Sequence, residues 1–144
     1  MMSSLRASTP FQFNFAPDEL AYIAQHWIHL DHDQTLTGSA GAAYTLFQGT
    51  PEPLRLSGTI TAGSGLRAST PAIPNGASLP GYAAVNLSAV QTLNLGIGAA
   101  TELRLDVLNL FDRVYEIRDG TGVGVGAPQY GLRRTILAGL AQRF

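Results

Sequence analysis

Five stretches of this chain alternate apolar and polar residues with a period of two. That pattern constrains the fold more than any other feature. A period of two sends successive side chains to opposite faces of a strand, so each stretch predicts a ribbon with one apolar side. In 35–47, Leu36, Gly38, Ala40, Ala42, Tyr44 and Leu46 oppose Thr35, Thr37, Ser39, Gly41, Ala43 and Thr45. In 53–62, Leu54, Leu56, Gly58, Ile60 and Ala62 oppose Arg55, Ser57, Thr59 and Thr61. In 82–91, Ala83, Val85, Leu87 and Ala89 oppose Ala84, Asn86, Ser88 and Val90. The split is sharpest in 99–109, where Thr101, Leu103, Leu105 and Val107 oppose Glu102, Arg104 and Asp106. In 133–144, Ile136, Ala138, Leu140 and Phe144 oppose Arg133, Thr135, Gly139 and Arg143. Phe11, Phe13 and Phe15 point to the end of one more strand. The expectation is an all-β chain, an antiparallel meander of about six strands, each long enough to cross a bilayer when tilted.

The connections alternate in length. Those near 48–52 and 92–98 are short, and those near 16–32, 63–81 and 112–131 are long. Outer-membrane barrels have this asymmetry, with short turns at one rim and long loops at the other. The first long connection predicts one short helix near 17–28. Pro17 suits a first helical position, and Asp18 and Glu19 suit the N-terminal dipole. Leu20, Ile23, Ala24 and Trp27 form a stripe at i, i+3, i+4 and i+7.

Composition narrows the solvent question. Hydrophobic residues make up 45% of the 144, but charged residues only 13%, about half the roughly 25% usual in soluble domains. All nine cations are arginine, and the net charge of −1 gives no electrostatic reason to bind nucleic acid. Cysteine is absent, which excludes disulfides, thiolate metal sites and cysteine nucleophiles. No apolar run reaches the roughly 18 residues of a transmembrane helix. Met1 to Arg6 carries no signal-peptide core, so a barrel strand set would need upstream sequence for export.

Three constellations invite a chemical reading. His26, His29 and His32, with Asp31 and Asp33, have metal-like spacing, but Trp27 and Ile28 intervene. A polar loop whose His and Asp side chains cap backbone groups is the simpler account, and a metal hydrolase is the weakest of the functions considered. The run Gly120-Thr121-Gly122-Val123-Gly124-Val125-Gly126-Ala127-Pro128 lacks the following helix and the lysine of a phosphate-cradling loop, so it reads as a flexible β-loop. Glu102, Arg104 and Asp106 stand on one face of one strand and read as a mutually paired polar row. No catalytic, cofactor or metal residue is assigned, and the chain is not expected to be an enzyme.

Asn109-Leu110-Phe111-Asp112-Arg113-Val114-Tyr115 resembles the Asn-Leu-Phe-Asp-x-x-Tyr motif near the C-terminus of TonB-dependent outer-membrane receptors. In that family it closes the penultimate strand and enters the last external loop. The stretch 116–131, with Arg118-Asp119-Gly120 and Gln129-Tyr130-Gly131, resembles that loop in one branch of the family. So do 17–23, 27–34 and Pro74-Asn75-Gly76-Ala77 for other external loops. The final strand resembles the signal read by the barrel-assembly machinery, with Gly139 and Phe144 in place and Gln142 where an apolar residue is common. The likeness covers nearly all of the chain after about residue 10.

The resemblance implies an open part of a large transmembrane β-barrel, 1–144, with no plug domain. The family imports iron chelates (siderophores), vitamins such as cobalamin, or similar solutes, powered through TonB. It implies the outer membrane of a Gram-negative bacterium. Expected partners are outer-membrane lipid, the assembly machinery through the last strand, and the remaining barrel and plug. TonB would be met only through an N-terminal part not seen here. About six strands cannot close such a barrel, so the chain alone is not expected to transport solute. Aromatic residues at strand ends, Tyr44, Phe47, Tyr82, Phe111 and Phe144, would mark the interfaces. The rival is a soluble β-sandwich or small barrel that binds a ligand, its apolar faces turned into a private core.

Overall fold

The alternating stretches become strands. A computed structural model describes residues 17–96, 100–122 and 126–142. The expected strand at Phe11, Phe13 and Phe15, and the expected roles of Arg143 and Phe144, lie outside the described residues. Five long strands make the main sheet: β1 (Thr37–Leu46), β2 (Leu54–Gly63), β5 (Tyr82–Leu93), β6 (Thr101–Leu108) and β9 (Thr135–Gln142). Their order across the sheet is β1-β2-β5-β6-β9, an antiparallel meander in which neighbours in sequence are neighbours in space. Among the described residues the sheet does not close on itself, and β1 and β9 are its margins.

The long connections contain structure that the residue pattern did not predict. The one between β2 and β5 holds a two-stranded ribbon of β3 (Arg67–Ala68) and β4 (Ala77–Ser78). The one between β6 and β9 holds a second ribbon, β7 (Glu116–Asp119) with β8 (Pro128–Tyr130), bulged between Glu116 and Arg118. Strands of two to four residues are too short to show a period. Gly120 turns the chain at φ +85°, and a Cβ there would sit 3.0 Å from the backbone of Ala127 and Pro128. That close approach is what part of the glycine run serves.

The helix is shorter than its stripe predicts: α1 covers Pro17–Gln25. His26 ends it by directing both its backbone N–H and its Nδ1 at the Tyr22 carbonyl, each at 3.0 Å, while its ring stacks on Tyr22. Trp27 thereby leaves the helical register and is 63% exposed, and Ile28 packs with Ile23 instead.

The chain divides into two compact units. One comprises the described part of Met1–Thr37, with Gly63–Tyr82 and Tyr115–Gly131, and so gathers the long connections. The other comprises Gly38–Ala62, Ala83–Val114 and the described part of Leu132–Phe144, the sheet itself. Among the described residues, the buried apolar ones are Ile23, Ile28, Ala68, Leu79 and Ala84. Of these only Ala84 belongs to the sheet unit, so the sheet has no aliphatic core of its own among the described residues.

Candidate functional site

The register of the sheet unit sorts its side chains into two faces. Leu103 pairs with Gln91 on one side and Leu140 on the other, Leu105 with Ala89 and Ala138, and Val107 with Leu87 and Ile136. Partners directly opposite share a face, so these rows form one apolar surface. A Cβ on Gly58 would meet Leu87 at 3.3 Å, and one on Gly41 would meet Thr59 at 3.0 Å. By alternation Leu56 and Ile60 of β2, and Ala42 and Tyr44 of β1, join the same apolar surface. Its large members are open to solvent: Leu105 is 48% exposed, Ile136 66% and Leu140 71%. A shallow trough of about 670 Å³ runs along it, floored by Ala42, Leu56, Leu87 and Leu105.

The opposite face is polar and internally bonded. Arg104 Nε donates to Asp106 Oδ2 at 2.7 Å, and Asn86 donates to Thr59 at 3.3 Å. A smaller pocket of about 240 Å³ lies among Ser57, Asn86, Ser88, Arg104 and Asp106. Val90, Leu108 and Leu137 are apolar residues on this face, opposite Arg104, Thr135 and Asp106 respectively.

The motif residues build the corner where β6 ends. Asn109 is 3% exposed and sits at φ +48°, a left-handed conformation that Asn tolerates better than most residues. Its amide donates to the carbonyls of Arg113 (2.9 Å) and Leu132 (2.8 Å), and its Oδ1 accepts from the Arg113 N–H. Asn109 therefore satisfies three backbone groups of the turn and of the chain entering β9. Asp112, at φ +50°, accepts two hydrogen bonds from the Arg133 guanidinium (2.8 and 2.5 Å) and one from the Arg134 N–H (2.9 Å). The Arg133 guanidinium, aided by that N–H, holds the Asp112 carboxyl well below the ordinary carboxylate range. Leu110 is half-buried, while Phe111 is 73% exposed.

Tyr115, the last motif residue, stacks on Tyr82 with ring centroids 4.6 Å apart. Its ring lies where a Cβ on residue 131 would be, 1.9 Å away, so that position requires glycine. This corrects the expectation for Tyr82. Alternation places it with Ala84 and Asn86, off the apolar face, and its ring is occupied by the stack. Of the aromatic residues expected at interfaces, Tyr44, Phe47 and Phe111 are exposed, and Phe144 lies outside the described residues. Gly139 of β9 faces Arg104 across the ladder, where a Cβ would fit at 3.7 Å.

In the unit of long connections, the histidines bind separate partners. His29 Nδ1 meets Asp33 at 2.6 Å, and His32 Nδ1 meets Asp31 at 2.6 Å, while Arg118 donates to His32 Nε2. Arg118 also lies 3.6 Å from Asp31, and Arg67 lies 3.9 Å from Asp33. The hydrogen bond from His29 holds the Asp33 carboxyl below its ordinary range. Among the described residues no three acidic or histidine side chains converge as a metal site. Asn75, 1% exposed, donates to the His29 carbonyl at 2.8 Å and ties two connections together. Neither Asn75 nor Gly131 stood out chemically in the sequence, because their roles depend on residues far away in the chain.

Among the described residues, no helix is long and apolar enough to cross a membrane. Comparison with known proteins adds no relative: no family model, no curated protein and no solved structure matches this chain.

Proposed function

We propose that this chain forms part of the transmembrane wall of a TonB-dependent receptor in the outer membrane of a Gram-negative bacterium. On this reading it serves import of a siderophore, vitamin or similar solute and does no catalysis. The observation that carries the proposal is the uncovered apolar face. Burying a leucine fully is worth about 1.5–3 kcal/mol, so a soluble sheet with such a row would normally cover it. Hydrocarbon supplies that cover, and the ion-paired opposite face suits a wet lumen.

The margins support the same reading. Neither β1 (Thr37–Leu46) nor β9 (Thr135–Gln142) contains a charge or a proline, the usual devices against edge pairing. Such edges call for further strands. β1 and β9 run in the same direction, so closing the wall in antiparallel fashion takes an odd number of additional strands. These would come from the rest of the receptor, along with its plug.

The trough on the apolar face favours a second reading, a soluble domain that binds an apolar ligand there. Environment-sensitive labels distinguish the two. The chain has no cysteine, so one introduced cysteine takes one label. In neutral-detergent micelles, a label at Leu105→Cys should be quenched by a nitroxide-bearing detergent, and one at Ser88→Cys by aqueous iodide. A cooperatively folded, lipid-free monomer with the Leu105 label shielded from both quenchers would overturn the receptor reading.

A further inference from the structure

Among the described residues, the corner after β6 holds more guanidinium groups than carboxylates. The backbones of Arg113, Arg133 and Arg134 are tied into one corner, because Asn109 binds the Arg113 and Leu132 carbonyls and Asp112 binds the Arg133 guanidinium and the Arg134 N–H. Asp112 is the carboxylate of this knot, and its partner is Arg133. The side chains of Arg113 and Arg134 are exposed and bond to no described residue. Two positive charges therefore remain.

Their position gives them a use. No charged residue stands in the apolar row of any strand of the main sheet, from Leu56 to Leu140. Arg134 is in step with that row, two residues before Ile136 and just outside β9. Leu132, 57% exposed, is two residues earlier still, and Phe111 is 73% exposed on the same corner. The corner thus carries exposed apolar residues, Phe111 and Leu132, each two positions from an exposed arginine, Arg113 and Arg134, at the end of an apolar face. A free anion needs only the guanidinium groups. An amphiphile with a phosphate at the root of its acyl chains uses both features.

We infer that the corner formed by Phe111, Arg113, Leu132 and Arg134 is a seat for the phosphorylated headgroup of a lipid. Arg113 and Arg134 bind the phosphate, and Phe111 and Leu132 lie against the upper part of the acyl chains. This rests on the reading that the apolar face meets hydrocarbon. The long arginine stem keeps its methylenes with the lipid and carries its charge to the headgroup layer.

The test uses the full chain in neutral-detergent micelles, with spin-labelled phosphatidic acid compared against spin-labelled phosphatidylcholine. The expected result is stronger immobilisation of the phosphatidic acid. Arg113→Gln and Arg134→Gln should each lower that preference by about fivefold, as expected for one arginine at an anionic surface. The double variant should abolish it, while Arg55→Gln, on the polar face of β2, should leave it intact. The seat is refuted if the double variant keeps the preference, or if Arg55→Gln lowers it equally. It is also refuted if inorganic phosphate displaces the lipid as well as unlabelled phosphatidic acid does. Immobilisation of both lipids without preference removes the seat alone. Failure of the wild-type chain to immobilise either lipid removes the membrane-facing reading as well.

Discussion

Leu105→Arg is the substitution that most directly separates a lipid-facing sheet from a soluble one. Leu105 stands fifth in the eight residues of β6, between Ala89 and Ala138 on the apolar face. With about 3.4 Å per residue and a tilt near 45°, it lies roughly 7–10 Å from either end of its strand, measured along the membrane normal. That is close to the middle of an apolar band about 25 Å tall, where a lipid-facing arginine costs about 2–4 kcal/mol. The folded population in micelles should therefore fall roughly 30- to 700-fold. Ser88→Arg is the matched control, since Ser88 pairs with Asp106 on the polar face and a new cation there should stay within about 1 kcal/mol. Urea titration in neutral-detergent micelles, followed by far-UV circular dichroism, reads both. In lipid-free buffer Leu105→Arg should change little, because Leu105 is already 48% exposed in the chain by itself. The reasoning fails if Leu105→Arg costs no more than Ser88→Arg in micelles. It fails equally if its full cost appears without lipid, as a private core demands.

Further predictions concern the corner and the loops. Asn109→Ala removes three hydrogen bonds to backbone groups and leaves a left-handed alanine, so chemical denaturation should show a loss of about 2–4 kcal/mol, of which Asn109→Gly recovers only the backbone share. Gly131→Ala drives a methyl into the Tyr115 ring and should erase the near-ultraviolet signal of the Tyr82–Tyr115 stack; adding Tyr115→Ala should make the alanine at 131 nearly neutral. The Asp112 carboxyl is depressed by Arg133, so its contribution is present above the unfolded carboxylate value near about 3.9 and is lost as pH falls toward the folded value. Acid titration of Asp112→Asn should accordingly show a flatter stability profile below about pH 4 than the parent chain.

Much of the fold was legible in the residues because period two is a local signal. The stretch 99–109 named the faces of β6 correctly from Leu103, Arg104, Leu105 and Asp106 alone, and 82–91 did the same for β5. Helix α1 was legible at its start, where Pro17 and two acids act locally, but not at its end. There the His26 side chain captures the Tyr22 carbonyl and releases Trp27. The ribbons β3–β4 and β7–β8 escaped notice because a few residues carry no period, and their pairing depends on partners across a loop. The motif at 109–115 was visible as a string, but its mechanics were not.

The order of amino acids by itself determined that the chain makes long two-faced strands, and that long and short connections alternate between them. Alternation, turn residues and the lack of a long apolar run are properties of neighbours in sequence. Tertiary structure alone decided that the apolar rows lie side by side as one uncovered surface, with β1 and β9 left as free margins. It also decided that Asn109 and Asp112 tie the backbones of Arg113, Leu132 and Arg134 and the Arg133 guanidinium into one corner. Register and hydrogen bonding join residues more than twenty positions apart, and no local pattern encodes which distant carbonyl an amide will reach.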